Sequence, residues 1–151
     1  MSDMLSSLIE KSGAFEEIAE CIRGGRLPCS VFGVTQNAKP FFCEAVRKST
    51  HRQVLCITAT EQAARDYVAA VGGSAILFPD NDFSLRSVEA KGREEEMARV
   101  GALKNAAHPK GVVFLSVRAY LNRMTPPERF RETCFVLQTG KSYHLDDIAT
   151  R

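Results

Sequence analysis

The feature that most constrains the fold is residues 31–40, which have the outline of a phosphate-binding loop. The loop overlaps an apolar run at residues 29–34, which predicts a short buried strand. It also opens a helical pattern that contains Phe42, Ala45 and Val46. A strand, a loop and a helix in this order are the context that such a loop requires. The stretch therefore predicts an α/β fold.

The residues that bind phosphate and magnesium in a working loop are partly absent. Gly33 and Lys39 stand at the expected spacing. Ala38 occupies the second glycine position, where a Cβ hinders the backbone from turning its N–H groups toward phosphate. Pro40 replaces the hydroxyl residue that binds Mg²⁺, and it has no backbone N–H. We expect this degenerate loop, with Asn37 inside it, to preserve the fold and to bind no cofactor and no metal.

Apolar runs alternate with helical patterns along the rest of the chain. Further strands are predicted at residues 53–58, 74–78 and 111–116. Helices are predicted at residues 15–22, 61–71, 89–106, 117–124 and 128–131. Because each strand is nearly continuous in apolar residues, the pattern favours a parallel sheet with helices on both faces. We predict a P-loop or helicase-like domain over residues 1–132.

The C-terminal tail departs from this alternation. Residues 134–139 predict a strand, and residues 145–151 predict the beginning of a helix whose apolar stripe has no further members. Gly140, Lys141 and Ser142 imitate the end of a phosphate loop, but the position of the upstream glycine is Phe135, so a turn explains them. We interpret residues 133–151 as the start of a second, truncated domain.

Composition indicates an ordinary intracellular protein. Twenty Lys and Arg against eighteen Asp and Glu give a formal charge of +2, which is too balanced to indicate nucleic acid. No run approaches the ~18 apolar residues of a membrane span. The first residues lack a signal peptide pattern, so we expect a cytoplasmic protein without membrane contact. The cysteines show no metal-ligand spacing and are expected to be buried structural thiols: Cys21, Cys29, Cys43, Cys56 and Cys134.

A nucleotide hydrolase would also need an acidic residue at the end of a strand to hold Mg²⁺. The predicted strand at residues 111–116 has no such residue after it. Asp80 follows the strand at residues 74–78 and is the candidate for this magnesium ligand. The favoured alternative is that Asp80 is a turn residue in the run Phe-Pro-Asp-Asn-Asp.

The order of these motifs resembles the N-terminal, non-motor module of bacterial transcription-repair coupling factors, itself similar to the first domain of excinuclease component B. The resemblance covers about residues 15–151. Its carriers are Gly33-Val34-Thr35, Ala38-Lys39, Phe78-Pro79-Asp80, Arg99-Val100 with Leu103, Val117-Arg118-Ala119-Tyr120-Leu121 and Pro126-Pro127. The closing segment, Gly140 with Leu145-Asp146-Asp147 and Arg151, resembles the start of the family's second domain. Phe83 is the one aromatic residue shortly after Asp80, which disfavours the aromatic-rich hairpin of excinuclease component B.

The resemblance implies a helicase-like domain that has lost its ATP site and serves as a non-catalytic scaffold in transcription-coupled nucleotide excision repair. In the family, ATP and Mg²⁺ bind a separate downstream motor, which displaces stalled RNA polymerase. The second domain recruits excinuclease component A, and the N-terminal module restrains the motor by packing back on it. The implied partners of the full-length parent are therefore excinuclease component A, RNA polymerase and its own motor region. Lys39 would be a structural relic.

Two other functions stay open. A P-loop enzyme or helicase fragment would bind nucleotide weakly through Gly33, Asn37 and Lys39. A weak DNA-backbone binder would use five cations: Arg86, Lys91, Arg93, Arg99 and Lys104. Glu89 and residues 94–96 are interleaved with these cations.

Overall fold

The computed structural model describes residues 2–73, 75–80, 93–106, 111–133 and 138–144. The chain divides into two compact units, Met1–Leu121 and Asn122–Arg151. The helices of the first unit are α1 (Ser2–Glu10), α2 (Gly13–Arg23), α3 (Lys39–Thr50), α4 (Glu61–Val71), α5 (Arg93–Ala106) and α6 (Val117–Leu121). Its strands are β1 (Val54–Thr58), β2 (Ala75–Phe78) and β3 (Val112–Ser116), and the second unit contains α7 (Pro127–Thr133).

The three strands form a parallel sheet in the order β1-β3-β2. Val112 at the start of β3 stands opposite Val54 of β1 and Ala75 of β2. Every residue of the central strand β3 is buried. A strand with neighbours on both edges and helices on both faces can bury each of its side chains, which explains the continuous apolar sequence of β3.

Successive side chains of β3 enter two different cores, because side chains alternate between the faces of a strand. Phe114 belongs to the core formed with α4, where its ring meets that of Tyr67 edge to face at 5.7 Å. Leu115 belongs to the core on the other face, which includes Ala102 of α5 and Ala119 of α6. The prediction of a mixed α/β fold with a parallel sheet flanked by helices is confirmed.

The N-terminal helices form a third cluster against α3. Phe15 of α2 packs edge to face on Phe42 of α3, with ring centroids 5.7 Å apart. The ammonium of Lys48 ties α1 to α3, donating to Asp3 Oδ1 at 2.7 Å and to Ser6 Oγ at 3.0 Å.

Helix α4 has the bounds that its sequence predicts. The hydroxyl of Thr60 accepts a hydrogen bond from the N–H of Ala63 at 3.2 Å, which caps the N-terminus. Gly72 follows the last residue with φ of 83°, a conformation that a side chain disfavours. A cap and a glycine stop therefore fix both ends locally.

The predicted strand at residues 29–34 is wrong. These residues form no strand, and Phe32 is 90% exposed. Within the described part of the chain, β1 pairs with β3 alone, so the apolar segment has no strand beside it. An apolar run can become a strand only when another strand accepts its backbone hydrogen bonds.

Other predictions differ in extent or lie outside the described residues. Helix α6 ends at Leu121, three residues before the predicted end. Residues 138–139 form no strand, and the remainder of the predicted strand at 134–139 lies outside the described residues. The predicted helix at 145–151 also lies outside them. Among the helices that the structure describes, none has the length and apolarity needed to cross a membrane.

Candidate functional site

The degenerate loop is a turn that leads directly into α3. Gly33 has φ of 83°, in the region that glycine adopts readily. Ala38 stands at the N-cap position without a capping side chain, and buried Pro40 lies in the first helical turn. The fixed φ of proline suits a helix start, so Pro40 helps to begin α3 without the help of a ligand.

The backbone N–H groups that would face a phosphate are already bonded. Those of Ala38 and Lys39 both donate to the carbonyl oxygen of Thr35, at 3.0 and 3.1 Å. Pro40 has no N–H group at all. Phosphate binding at a helix start requires free N–H groups directed at the anion. Ala38, Lys39 and Pro40, at the start of α3, therefore offer no free N–H group to a phosphate.

The side chain of Lys39 is held by a neighbour within the same turn. Its Nζ donates a hydrogen bond to Oε1 of Gln36 at 3.0 Å. The pKa of the Cys56 thiol on β1 is lowered mainly by its interaction with Cys43, and the positive charge of Lys39 lowers it further. Asn37 lies exposed in the same turn. The loop residues predicted from sequence thus come together, but both the N–H and the ammonium of Lys39 donate within the turn itself.

The space beside the loop is an apolar cavity of about 330 Å³. Ser12 and Thr35 are the polar residues of its wall. The other lining residues are Ile9, Ala14, Phe15, Ile18, Val31, Phe32, Gly33, Val34, Ala38 and Phe42. Transfer of a phosphate charge into apolar surroundings is costly without a paired cation. This cavity is therefore unsuited to a nucleotide phosphate.

A second polar group lies at the carboxyl ends of the strands. The hydroxyl of Ser116, at the end of β3, donates a hydrogen bond to the Asp80 carboxylate. The same oxygen accepts the N–H of Ala119 at 2.9 Å and so caps α6. The N–H of Asp80 donates to Glu61 Oε2 at 3.0 Å. The carboxylate of Asp80 thus connects the segment after β2 to β3, and the backbone N–H of Asp80 connects the same segment to α4.

Arg99 joins this group from α5. Its guanidinium carbon lies 4.7 Å from the centroid of the Phe78 ring. Its Nη1 donates to the carbonyl oxygen of Pro79 at 2.7 Å. Burial lowers the pKa of Arg99, and the charge of Asp80 partly opposes that effect. The structure therefore brings together two segments that carry the family resemblance, Phe78-Pro79-Asp80 and the region of Arg99.

These contacts favour the structural interpretation of Asp80 over a magnesium ligand. Its carboxylate accepts the hydrogen bond of the Ser116 hydroxyl. Sequence reasoning missed Ser116 and Glu61. Because serine is a preferred N-cap residue, the capping of α6 could have been found from sequence. The contact between Ser116 and Asp80 spans 36 residues and has no local signal.

The proposed DNA-binding cations are only partly described. Arg86 and Lys91 lie outside the described residues, as does the side chain of Arg93. Arg99 is engaged with Phe78 and Pro79, whereas Lys104 is exposed on α5. The described residues therefore assemble no basic surface from this set.

No family model, curated protein or solved structure matches this chain. The resemblance to the coupling-factor module thus rests on its sequence motifs and stays a prediction.

Proposed function

We propose that this chain is a non-catalytic interaction domain of a transcription-repair coupling factor, with a helicase-like fold and a phosphate loop that no longer binds nucleotide. One observation carries the proposal. The N–H groups of Ala38 and Lys39 bond the carbonyl of Thr35, and Pro40 has none. These two N–H groups would face a phosphate in a working loop, and here they bond within the protein, which supports a loop without a nucleotide.

Exposed apolar side chains support an interaction role. Leu55 and Ile57 of β1 are 52% and 46% exposed, and they lie on one face because they are two residues apart in a strand. Among the described residues, β1 is paired along one edge alone. Leu121 at the end of α6 is 75% exposed. Apolar groups beside an open strand edge are suited to association with another protein surface.

The partners of such a domain follow from the family resemblance. The domain would work within a longer cytoplasmic protein, whose separate motor binds ATP and Mg²⁺ and acts on stalled RNA polymerase. It would contribute to the recruitment of excinuclease component A and would restrain the motor by contact with it. It would perform no catalysis by itself.

Thermal unfolding with and without millimolar Mg-ATP tests the loss of the nucleotide site. We expect no shift of Tm for the natural chain or for Lys39→Ala. A competing nucleotide-binding domain at about 100 times its Kd would gain about 2.7 kcal/mol, or several degrees. Such a shift, lost in Lys39→Ala and kept in the control Lys11→Ala, would refute the proposal and establish the nucleotide-binding alternative.

Titration with purified excinuclease component A, followed by calorimetry, tests the interaction itself. We expect saturable binding that Leu55→Lys weakens, since a charge at the strand edge opposes apolar association. The matched control is Lys11→Glu, which changes an exposed charge away from the sheet. Titration with duplex DNA is the second arm. Steeply salt-dependent DNA binding without binding of the protein partner would favour the DNA-binding alternative.

A further inference from the structure

The apolar cavity beside the degenerate loop is enclosed by the N-terminal helices, α3 and the segment between α2 and α3. Phe15 of α2 and Phe42 of α3 both line it. Their rings meet edge to face at 5.7 Å and form an aromatic side of the wall. The volume of about 330 Å³ lies at the lower end of the range for small-molecule sites, which is roughly 300–1,000 Å³. The cavity therefore has the size of a site for one small molecule.

The cavity opens to solvent along the segment of residues 29–34. Phe32 lines the cavity and is nevertheless 90% exposed, and Val31 is 38% exposed. Cys29 is also exposed, so the sequence prediction of a buried thiol is wrong at this position. A molecule that enters the cavity would cover apolar surface of Phe32 that now faces water, which is favourable.

The wall favours a ligand that is uncharged and aromatic. None of the described residues that line the cavity carries a charge, so an ion inside it would lose its water without gaining a partner. An apolar cavity of about 150 Å³ holds one benzene molecule. The volume of about 330 Å³ is roughly twice as large and therefore matches two fused rings.

Two residues of the wall supply hydroxyl groups. Ser12 occupies the N-cap position of α2, but its side chain forms no capping hydrogen bond. Serine is a preferred N-cap residue because its oxygen ordinarily accepts a backbone N–H there. Thr35 uses its carbonyl oxygen for the N–H groups of Ala38 and Lys39, which does not involve its hydroxyl. The hydroxyl oxygens of Ser12 and Thr35 can therefore accept a hydrogen bond from a ligand.

We propose that this cavity is a binding site for a small, neutral, bicyclic aromatic molecule of the indole class. The fused rings lie against Phe15 and Phe42, and Phe32 covers them at the entrance. The ring N–H donates to a hydroxyl of the wall, from Ser12 or Thr35. The site does not use the phosphate-binding positions of the loop, so it is independent of the response to nucleotide.

Titration of the full chain with indole, followed by NMR of the methyl groups, tests the site. We expect saturable shifts of the methyl resonances of Ile9, Ile18 and Val34, which line the cavity. The methyl resonances of Leu77 and Val112, which belong to the core beside α4, should not move. For a ligand of this size we expect a Kd on the order of 0.1–1 mM.

Two related compounds test the chemistry of the ligand. Indole-3-acetate has the same rings and a carboxylate, so its Kd should be higher by about tenfold or more. N-Acetyltryptophanamide carries the rings on a peptide-like backbone and represents a side chain of a protein partner. It should bind no more tightly than indole. Tighter binding would assign the cavity to a protein partner and refute the small-molecule site, and equal binding of indole-3-acetate would refute the selection for a neutral ligand.

Replacements at the wall locate the ligand. Ala14 lines the cavity and is exposed, so Ala14→Phe takes up volume without entering a core, and the Kd for indole should rise by about tenfold or more. The matched control is Ala69→Phe on an exposed position of α4, which should leave the Kd unchanged. Phe32→Ala should raise the Kd severalfold, and the exposure of Phe32 means that the fold does not depend on its ring.

Three further results would overturn the proposal. The first is the absence of saturable shifts up to the solubility limit of indole. The second is a set of shifts centred on Leu77 and Val112 instead of the residues around the cavity. The third is an unchanged Kd in folded Ala14→Phe and Phe32→Ala. If circular dichroism shows that Ala14→Phe does not fold, the Kd of Phe32→Ala decides between the two outcomes.

Discussion

Replacement of Ser116 by alanine should destabilise the first unit more than the loss of an ordinary helix cap. Ser116 is 1% exposed, and its hydroxyl forms two hydrogen bonds. It donates to the carboxylate of Asp80 and accepts the N–H of Ala119. Alanine removes both bonds and leaves the N–H of Ala119 in a buried environment without its partner.

The magnitude follows from the two lost contacts. A helix cap contributes about 1 kcal/mol, and a hydrogen bond to a charged group about 1.5–3 kcal/mol. Asp80 is only partly buried, so water replaces some of its lost bond. We therefore expect Ser116→Ala to lower the free energy of unfolding by about 2–3 kcal/mol, which is roughly 5–10 °C in Tm for a chain of this length.

Urea unfolding followed by circular dichroism measures this cost, with Thr60→Ala as the matched control. Thr60 also caps a helix through its hydroxyl, but it is exposed, and within the described part of the chain its hydroxyl has no hydrogen bond to a carboxylate. Its loss should cost about 1 kcal/mol. In an Asp80→Ala background, Ser116→Ala should likewise cost only about 1 kcal/mol. Equal costs for Ser116→Ala and Thr60→Ala in the natural background would refute the role given to Asp80.

Two further changes test other parts of the structure. Phe114→Ala should lower the free energy of unfolding by about 3–5 kcal/mol, because it removes a fully buried ring that packs on Tyr67. A loss below about 1 kcal/mol, measured by urea unfolding, would contradict this packing. The hydrogen bond and charge of Lys48 lower the pKa of Asp3 below its usual 3.8, so the contribution of this pair is present above that pH and is lost as pH falls through the folded-state pKa. Protection factors of the α1 amides, which are corrected for the intrinsic pH dependence of exchange, should therefore fall on acidification, and Lys48→Met should remove that change.

The elements that sequence predicts well are those whose ends and faces are specified locally. Thr60 and Gly72 mark the two ends of α4, and the predicted residues 61–71 match the helix. The β-branched and apolar residues of β3 predict a strand buried on both faces, and every residue of β3 is buried. In both cases the information lies within a few residues of the element.

Residues 29–34 show where local information ends. Their apolar pattern is that of a buried strand, but a strand also needs a neighbour for its backbone, and the neighbour is a property of the whole sheet. In the structure, Val31, Phe32 and Val34 line the cavity beside α2 and α3 instead. The hydrogen bond between Ser116 and Asp80 likewise joins residues that are 36 positions apart in sequence. Local patterns therefore predict elements better than they predict contacts.

Lys39 links the start of α3 to the turn before it. Its N–H donates to the carbonyl oxygen of Thr35 and its ammonium donates to Gln36, so Lys39→Ala should leave the response to Mg-ATP unchanged. A nucleotide response that Lys39→Ala removes would instead give the ammonium a role in ligand binding.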